Sequence, residues 1–116
     1  MSVTIYHNPR CSKSRQTLSL LEDHGIEIDV IEYLQTPPDA ATLKSLIKKL
    51  GISAKDLLRK GEAEFKQAGL DKKNVTEEEI IAAMVKYPKL IERPIVINKD
   101  KAALGRPPEN VLSILD

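Results

Sequence analysis

Val3-Thr4-Ile5-Tyr6-His7-Asn8-Pro9-Arg10-Cys11-Ser12-Lys13-Ser14-Arg15 reads as a strand, a turn and the start of a helix. Thr4 to His7 is β-branched and aromatic, as strands are, and Asn-Pro marks the turn. Cys11, the only cysteine of the chain, sits between that turn and a helix-like segment. A thiol there lies at the positive end of a helix, which favours the nucleophilic thiolate. The first acidic residue is Glu22, so Arg10, Lys13 and Arg15 act on the loop without a local counter-charge. An electropositive thiol at a helix N-terminus is a place to bind and attack an anion.

Working outward, Ser12 to His24 reads as a helix stopped by Gly25, and Ile28 to Leu34 as a second strand. This is most simply a right-handed βαβ unit with parallel strands. The middle of the chain is helical. Leu43, Leu46, Ile47 and Leu50 share one helix face, which Gly51 ends. Three capping-box patterns follow: Thr36-Pro-Pro-Asp39, Ser53-Ala-Lys-Asp56 and Thr76-Glu-Glu-Glu79. Pro37 and Pro38 suit a first helical turn, and Ile80, Ile81, Met84 and Val85 form an apolar face. Pro94 to Asn98 reads as a strand, Asn98 to Lys101 as a turn, and Lys101 to Leu104 as a short returning strand. A last helix follows Pro107-Pro108, with Val111, Leu112 and Leu115 apolar. The expectation is an α/β domain spanning 1–116: a thioredoxin-like core, βαβ then β-hairpin and helix, with a helical insertion over roughly 37–90.

The composition narrows the function classes. Of 116 residues, 41% are hydrophobic and 30% charged, as in globular proteins. A net charge of +1, with three Tyr, one Phe and no Trp, argues against a nucleic-acid or anionic-membrane surface. The longest apolar run, Ile80 to Val85, is far too short to span a bilayer. No signal-peptide pattern opens the chain, and one cysteine cannot form an internal disulfide; both point to the cytoplasm.

Arginine is scarce, five against thirteen lysines, and its positions are uneven. Arg10 and Arg15 flank Cys11, and Arg59 follows Leu57-Leu58. Arg93 and Arg106 each precede a proline, which places them at element boundaries, where binding residues project. A guanidinium offers a planar fork suited to two oxygens of an oxyanion. Spacing alone does not bring these arginines to Cys11, and any one of them taken singly reads more readily as a surface charge. Ser14 makes a Cys-x-x-Ser pattern and lies one turn on; it either donates to the thiolate or bonds its own backbone. His7 either supports the thiolate or simply ends a strand. His24 is explained by the helix C-terminus. One Cys and two distant His do not make a metal site, and no Gly-rich phosphate loop is present.

The stretch His7 to Arg15 resembles the active-site loop of the glutaredoxin-linked arsenate reductase family. The likeness continues through Tyr33-Leu34-Gln35-Thr36-Pro37-Pro38, Leu57-Leu58-Arg59-Lys60, Ile91-Glu92-Arg93-Pro94-Ile95-Val96 and Gly105-Arg106-Pro107. It implies a thioredoxin/glutaredoxin-like fold and reduction of arsenate to arsenite. Cys11 matches the catalytic cysteine. Arg59, Arg93 and Arg106 match the arginines that hold the oxyanion, and His7 and Ser14 match residues supporting the thiolate. Pro94 matches a cis-proline. The resemblance implies no bound metal or cofactor, glutathione as co-substrate, and glutaredoxin as the partner that resolves the mixed disulfide. Two other readings fit the same residues. One is a glutathione-dependent thiol–disulfide reductase, which needs Cys11 but not all three arginines. The other is a redox-responsive regulator binding RNA polymerase; such relatives often carry a Cys-x-x-Cys switch where this chain has Cys11 and Ser14.

Overall fold

A computed structural model describes residues 2–115. It divides into two compact units, Met1–Thr36 with Arg93–Asp116, and Pro37–Glu92.

The first unit carries the sheet. Strand β1 (Ser2–Tyr6), helix α1 (Ser12–Asp23) and strand β2 (Glu27–Ile31) form the expected βαβ unit, with β1 and β2 parallel. Strands β3 (Ile95–Asn98) and β4 (Lys101–Leu104) form the hairpin, and β3 runs antiparallel to β1. The strand order is β2-β1-β3-β4, a thioredoxin-like core. Alternation in β1 turns Val3 and Ile5 inward, where they join Leu21, Val96, Val111 and Ile114. Gly25, in the left-handed region at φ +68°, donates to Glu22 O and stops α1. Asn98 is buried and donates through Nδ2 to Ile114 O at 2.7 Å, tying the hairpin to the C-terminal turn.

Two sequence expectations are corrected here. Strand β2 ends at Ile31, not Leu34, because the chain turns: Gln35 N and Thr36 N both donate to Glu32 O. The last helix, Pro108–Ile114, is 3₁₀. Residues three apart eclipse in that geometry, so Val111 and Ile114 are buried while Leu112 is exposed.

The second unit is helical: α2 (Ala40–Leu50), α3 (Ala54–Leu57), α4 (Ala63–Gln67), α5 (Glu77–Lys86) and a 3₁₀ turn Pro88–Leu90. Helix α2 buries Leu43, Leu46 and Ile47 and ends at left-handed Gly51. Its cap is Asp39, whose carboxylate accepts from Thr42 N at 2.8 Å. Thr36 does not cap it, so Pro37 and Pro38 precede the helix instead of filling its first turn. The Thr76 box is complete: Glu79 N donates to Thr76 Oγ1 at 3.1 Å, and Thr76 N to Glu79 Oε1 at 3.3 Å. The Ser53 box is present as well, with Asp56 Oδ2 accepting from Ser53 N at 3.1 Å and from Oγ at 3.0 Å. Helix α5 buries Ile80, Ile81, Ala83 and Met84, while Val85 stays at the exposed edge of the stripe.

Candidate active site

The strand register gathers most of the candidate residues. Tyr6 pairs with Ile95, and Ile95 with Leu104. These three lie side by side across the sheet, so the residues just beyond them leave it at one end. Those residues are His7 and the loop to Cys11, Pro94 and Arg93, and Gly105 and Arg106.

Cys11 is the N-cap of α1 and is buried, at 9% exposure. The loop before it is held by backbone and side-chain bonds together. Cys11 N donates to Asn8 O at 3.0 Å, and Asn8 Oδ1 accepts from Arg10 N at 3.0 Å. This is an Asx turn, the local bonding at which Asn excels. Arg15, one turn into α1, reaches back so that Nη1 donates to Pro9 O at 2.8 Å. The two arginines flanking Cys11 therefore differ. Arg15 clamps the loop, while Arg10 is exposed and enters the turn through its backbone.

Ser14 and His7 form a buried pair. His7 Nδ1 and Ser14 Oγ are 2.6 Å apart, and Ser14 Oγ also accepts from Asn8 N at 3.0 Å. Burial holds the His7 imidazole below its ordinary pKa; Glu32 opposes that shift and Arg15 adds to it. The ring is then neutral at pH 7, with one nitrogen a donor and the other an acceptor. With the proton on Nδ1, His7 donates to Ser14 and leaves the serine hydroxyl hydrogen for another acceptor.

Arg93 and Arg106 stand at matching places on neighbouring strands. Each is joined to its proline by a cis peptide bond, Arg93–Pro94 and Arg106–Pro107. Gly105 N donates to Pro94 O at 2.9 Å, linking the two segments. The Nε and Nη1 atoms of Arg93 are buried, whereas Arg106 is exposed. Behind them, Thr17 of α1 donates to Lys13 O at 2.8 Å, with Gly105 O 3.4 Å away. A Cβ on Gly105 would lie 2.7 Å from Pro94 Cγ, so only glycine fits. Sequence reading missed this packing, the second cis bond and the Arg15 clamp; Gly105, beside the Arg106-Pro107 pair, was the available signal.

Arg59 belongs to the helical unit. Its backbone N donates to Leu90 O at 2.8 Å, and Leu58 bridges Ile91. Its guanidinium lies 3.6 Å from Glu92 and 3.9 Å from Glu62, with about a quarter of the side chain exposed. Among the described residues, no group of three or more His, Cys, Asp or Glu side chains is placed to hold a metal ion. No helix is long and apolar enough to cross a membrane.

Comparison with known proteins places this arrangement among relatives. A family model described as the ArsC family matches residues 6–114. Uncharacterized protein YfgD of Escherichia coli K12 is 55% identical over 97% of this chain and 96% of that one. An arsenate reductase of Haemophilus influenzae is 49% identical over 99% of this chain and all of that one, 100%. The solved structure of an arsenate reductase from Vibrio cholerae superposes with a TM-score of 0.95 at 49% identity, covering 99% of this chain and 98% of that one.

Proposed function

The chain belongs to the ArsC family, and from that premise we propose that it reduces arsenate to arsenite through a covalent adduct on Cys11. The observation that carries the reading is the juxtaposition, at one end of the sheet, of the Cys11 loop with the segments bearing Arg93 and Arg106. A nucleophilic sulfur and two guanidinium groups are what an arsenic oxyanion requires.

In this reading the Cys11 thiolate attacks arsenic. An S–As bond forms, an As–O bond breaks, and the oxygen leaves as water. Arg93 and Arg106 neutralise charge on the oxyanion as the adduct forms, a role that the family resemblance extends to Arg59. Ser14, positioned by neutral His7, turns its hydroxyl hydrogen to the sulfur and releases it for attack. Arsenic(V) then needs two electrons to become arsenic(III). They come from two thiols that pair into a disulfide, one from glutathione and one from glutaredoxin. The single cysteine supports an external source, because the chain has no second thiol to offer.

The test is arsenate-dependent oxidation of NADPH with glutathione, glutathione reductase and glutaredoxin present, beside a Cys11→Ser control. A rate requiring arsenate, glutaredoxin and Cys11 is expected. A folded protein with no arsenate-dependent rate, yet reducing glutathionylated proteins through Cys11, would replace this reading with thiol–disulfide exchange.

A further inference from the structure

The helical unit holds a cavity of about 510 Å³ lined by residues from Lys55 to Ile80. That volume lies within the range of small-molecule sites, roughly 300–1,000 Å³. Its floor is apolar: Leu58, Phe65, Leu70, Val75 and Ile80. Phe65 is the only phenylalanine of the chain and is half-buried, on a helix (α4) that buries no residue fully.

The rim is one-sided in charge. Lys55, Lys60, Lys72 and Lys73 line it against a single acid, Asp71. Only Lys72 makes an ion pair, 2.9 Å from Glu79; Lys55, Lys60 and Lys73 have no such pair among the described residues. Asp56, capping α3, acts on Lys55 and Lys60 at longer range. Two other cavities of this unit show the contrast. One, about 280 Å³, sets Lys44 and Lys48 against Glu77 and Glu78; the other, about 350 Å³, sets Lys86 against Glu79. Their charges balance, and those of the larger cavity do not.

We propose that this cavity binds a small organic anion with an apolar body, a carboxylate or sulfonate on an aliphatic or aromatic frame. The body lies on Phe65 and the aliphatic floor, and the head meets Lys55, Lys60 and Lys73. Leu58 and Lys60 line the cavity, while Arg59 between them turns to Glu62 and Glu92. Arg59 does not line the cavity, and the test of this site does not depend on the arsenate reductase reading.

The experiment is an NMR titration of the full chain with octanoate, and with octylammonium and octanol as cationic and neutral counterparts. Saturable shifts at the Leu58, Phe65, Leu70 and Val75 amides are expected with octanoate, at least about tenfold weaker with octylammonium, and weakened by salt. The double variant Lys60→Glu/Lys73→Glu is expected to lose about tenfold in octanoate affinity without a change in thermal midpoint. Both lysines are exposed, so the fold does not rest on them. Absence of saturable shifts at these amides up to about 10 mM overturns the proposal. So does equal affinity for octanoate and octylammonium, which would leave only an apolar patch. Shifts of the same amides on dilution without ligand would assign the surface to a second copy of the chain and equally overturn it.

Discussion

Replacing Gly105 by alanine tests whether close packing behind Arg93 and Arg106 positions both. Gly105 is buried, and its φ lies outside the left-handed region, so alanine meets no backbone penalty of its own. In the folded state the effect is steric contact. The new Cβ would lie 2.7 Å from Pro94 Cγ and 3.0 Å from Thr17 Cγ2, with Thr17 Oγ1 nearer still. Carbon atoms prefer about 3.5–4.0 Å, so the shortfall approaches 1 Å. Neither neighbour yields easily. Thr17 is β-branched and its hydroxyl is bonded to Lys13 O, and Pro94 is a closed ring. Overpacking of this kind costs about 1–3 kcal/mol, and the lower entropy of the unfolded alanine chain returns about 0.4–1. A net loss of roughly 1–2 kcal/mol lowers the thermal midpoint by roughly 4–10 °C in a domain of this size. Because Gly105 N bonds Pro94 O, the shift reaches both arginine segments, and KM for arsenate should rise. Thr17→Ala removes two of the three close contacts. The double variant should therefore recover part of the loss, with a coupling of about 1 kcal/mol. Calorimetry and the coupled reductase assay measure both effects. A Gly105→Ala protein with unchanged midpoint and KM, or strictly additive single and double variants, would refute the packing argument.

Further outcomes follow from the same geometry. Arg106→Ala keeps the backbone carbonyl that accepts from Asn110 and should raise KM for arsenate roughly tenfold or more in the coupled assay, with Arg106→Lys restoring little. For His7, burial lowers the folded-state pKa below 6.5, so the unfolded chain binds the proton first as pH falls. Its contribution to stability is complete above about pH 6.5 and declines toward the folded-state value, by at most about 1.4 kcal/mol per pH unit. Urea unfolding across that window should show the slope, and His7→Gln should lose it; a parent protein that gains stability on acidification relative to His7→Gln would reverse the sign. Thr76→Ala removes the acceptor for Glu79 N and should cost about 1 kcal/mol, with faster hydrogen exchange confined to the first turn of α5.

Much of this protein is local, and what is local could be read along the chain. The βα start from Val3 to Cys11, the glycine stops at Gly25 and Gly51 and the Thr76 box each involve residues a few positions apart. Their geometry depends on backbone sterics and short hydrogen bonds that any fold would preserve. The same logic placed Cys11 at a helix N-terminus and Arg93 and Arg106 at element boundaries. It failed where two local solutions compete. Asp39 displaced Thr36 as the cap of α2, and Ile114 displaced Leu112 inside the C-terminal turn once that turn wound as 3₁₀. Only the tertiary structure decided that the Cys11 loop, Arg93 and Arg106 share one end of the sheet. That depends on the register Tyr6–Ile95–Leu104, a pairing of strands far apart in sequence. Register is set by which side chains the core accepts and by how closely Gly105 seats between Thr17 and Pro94, and no single segment encodes either.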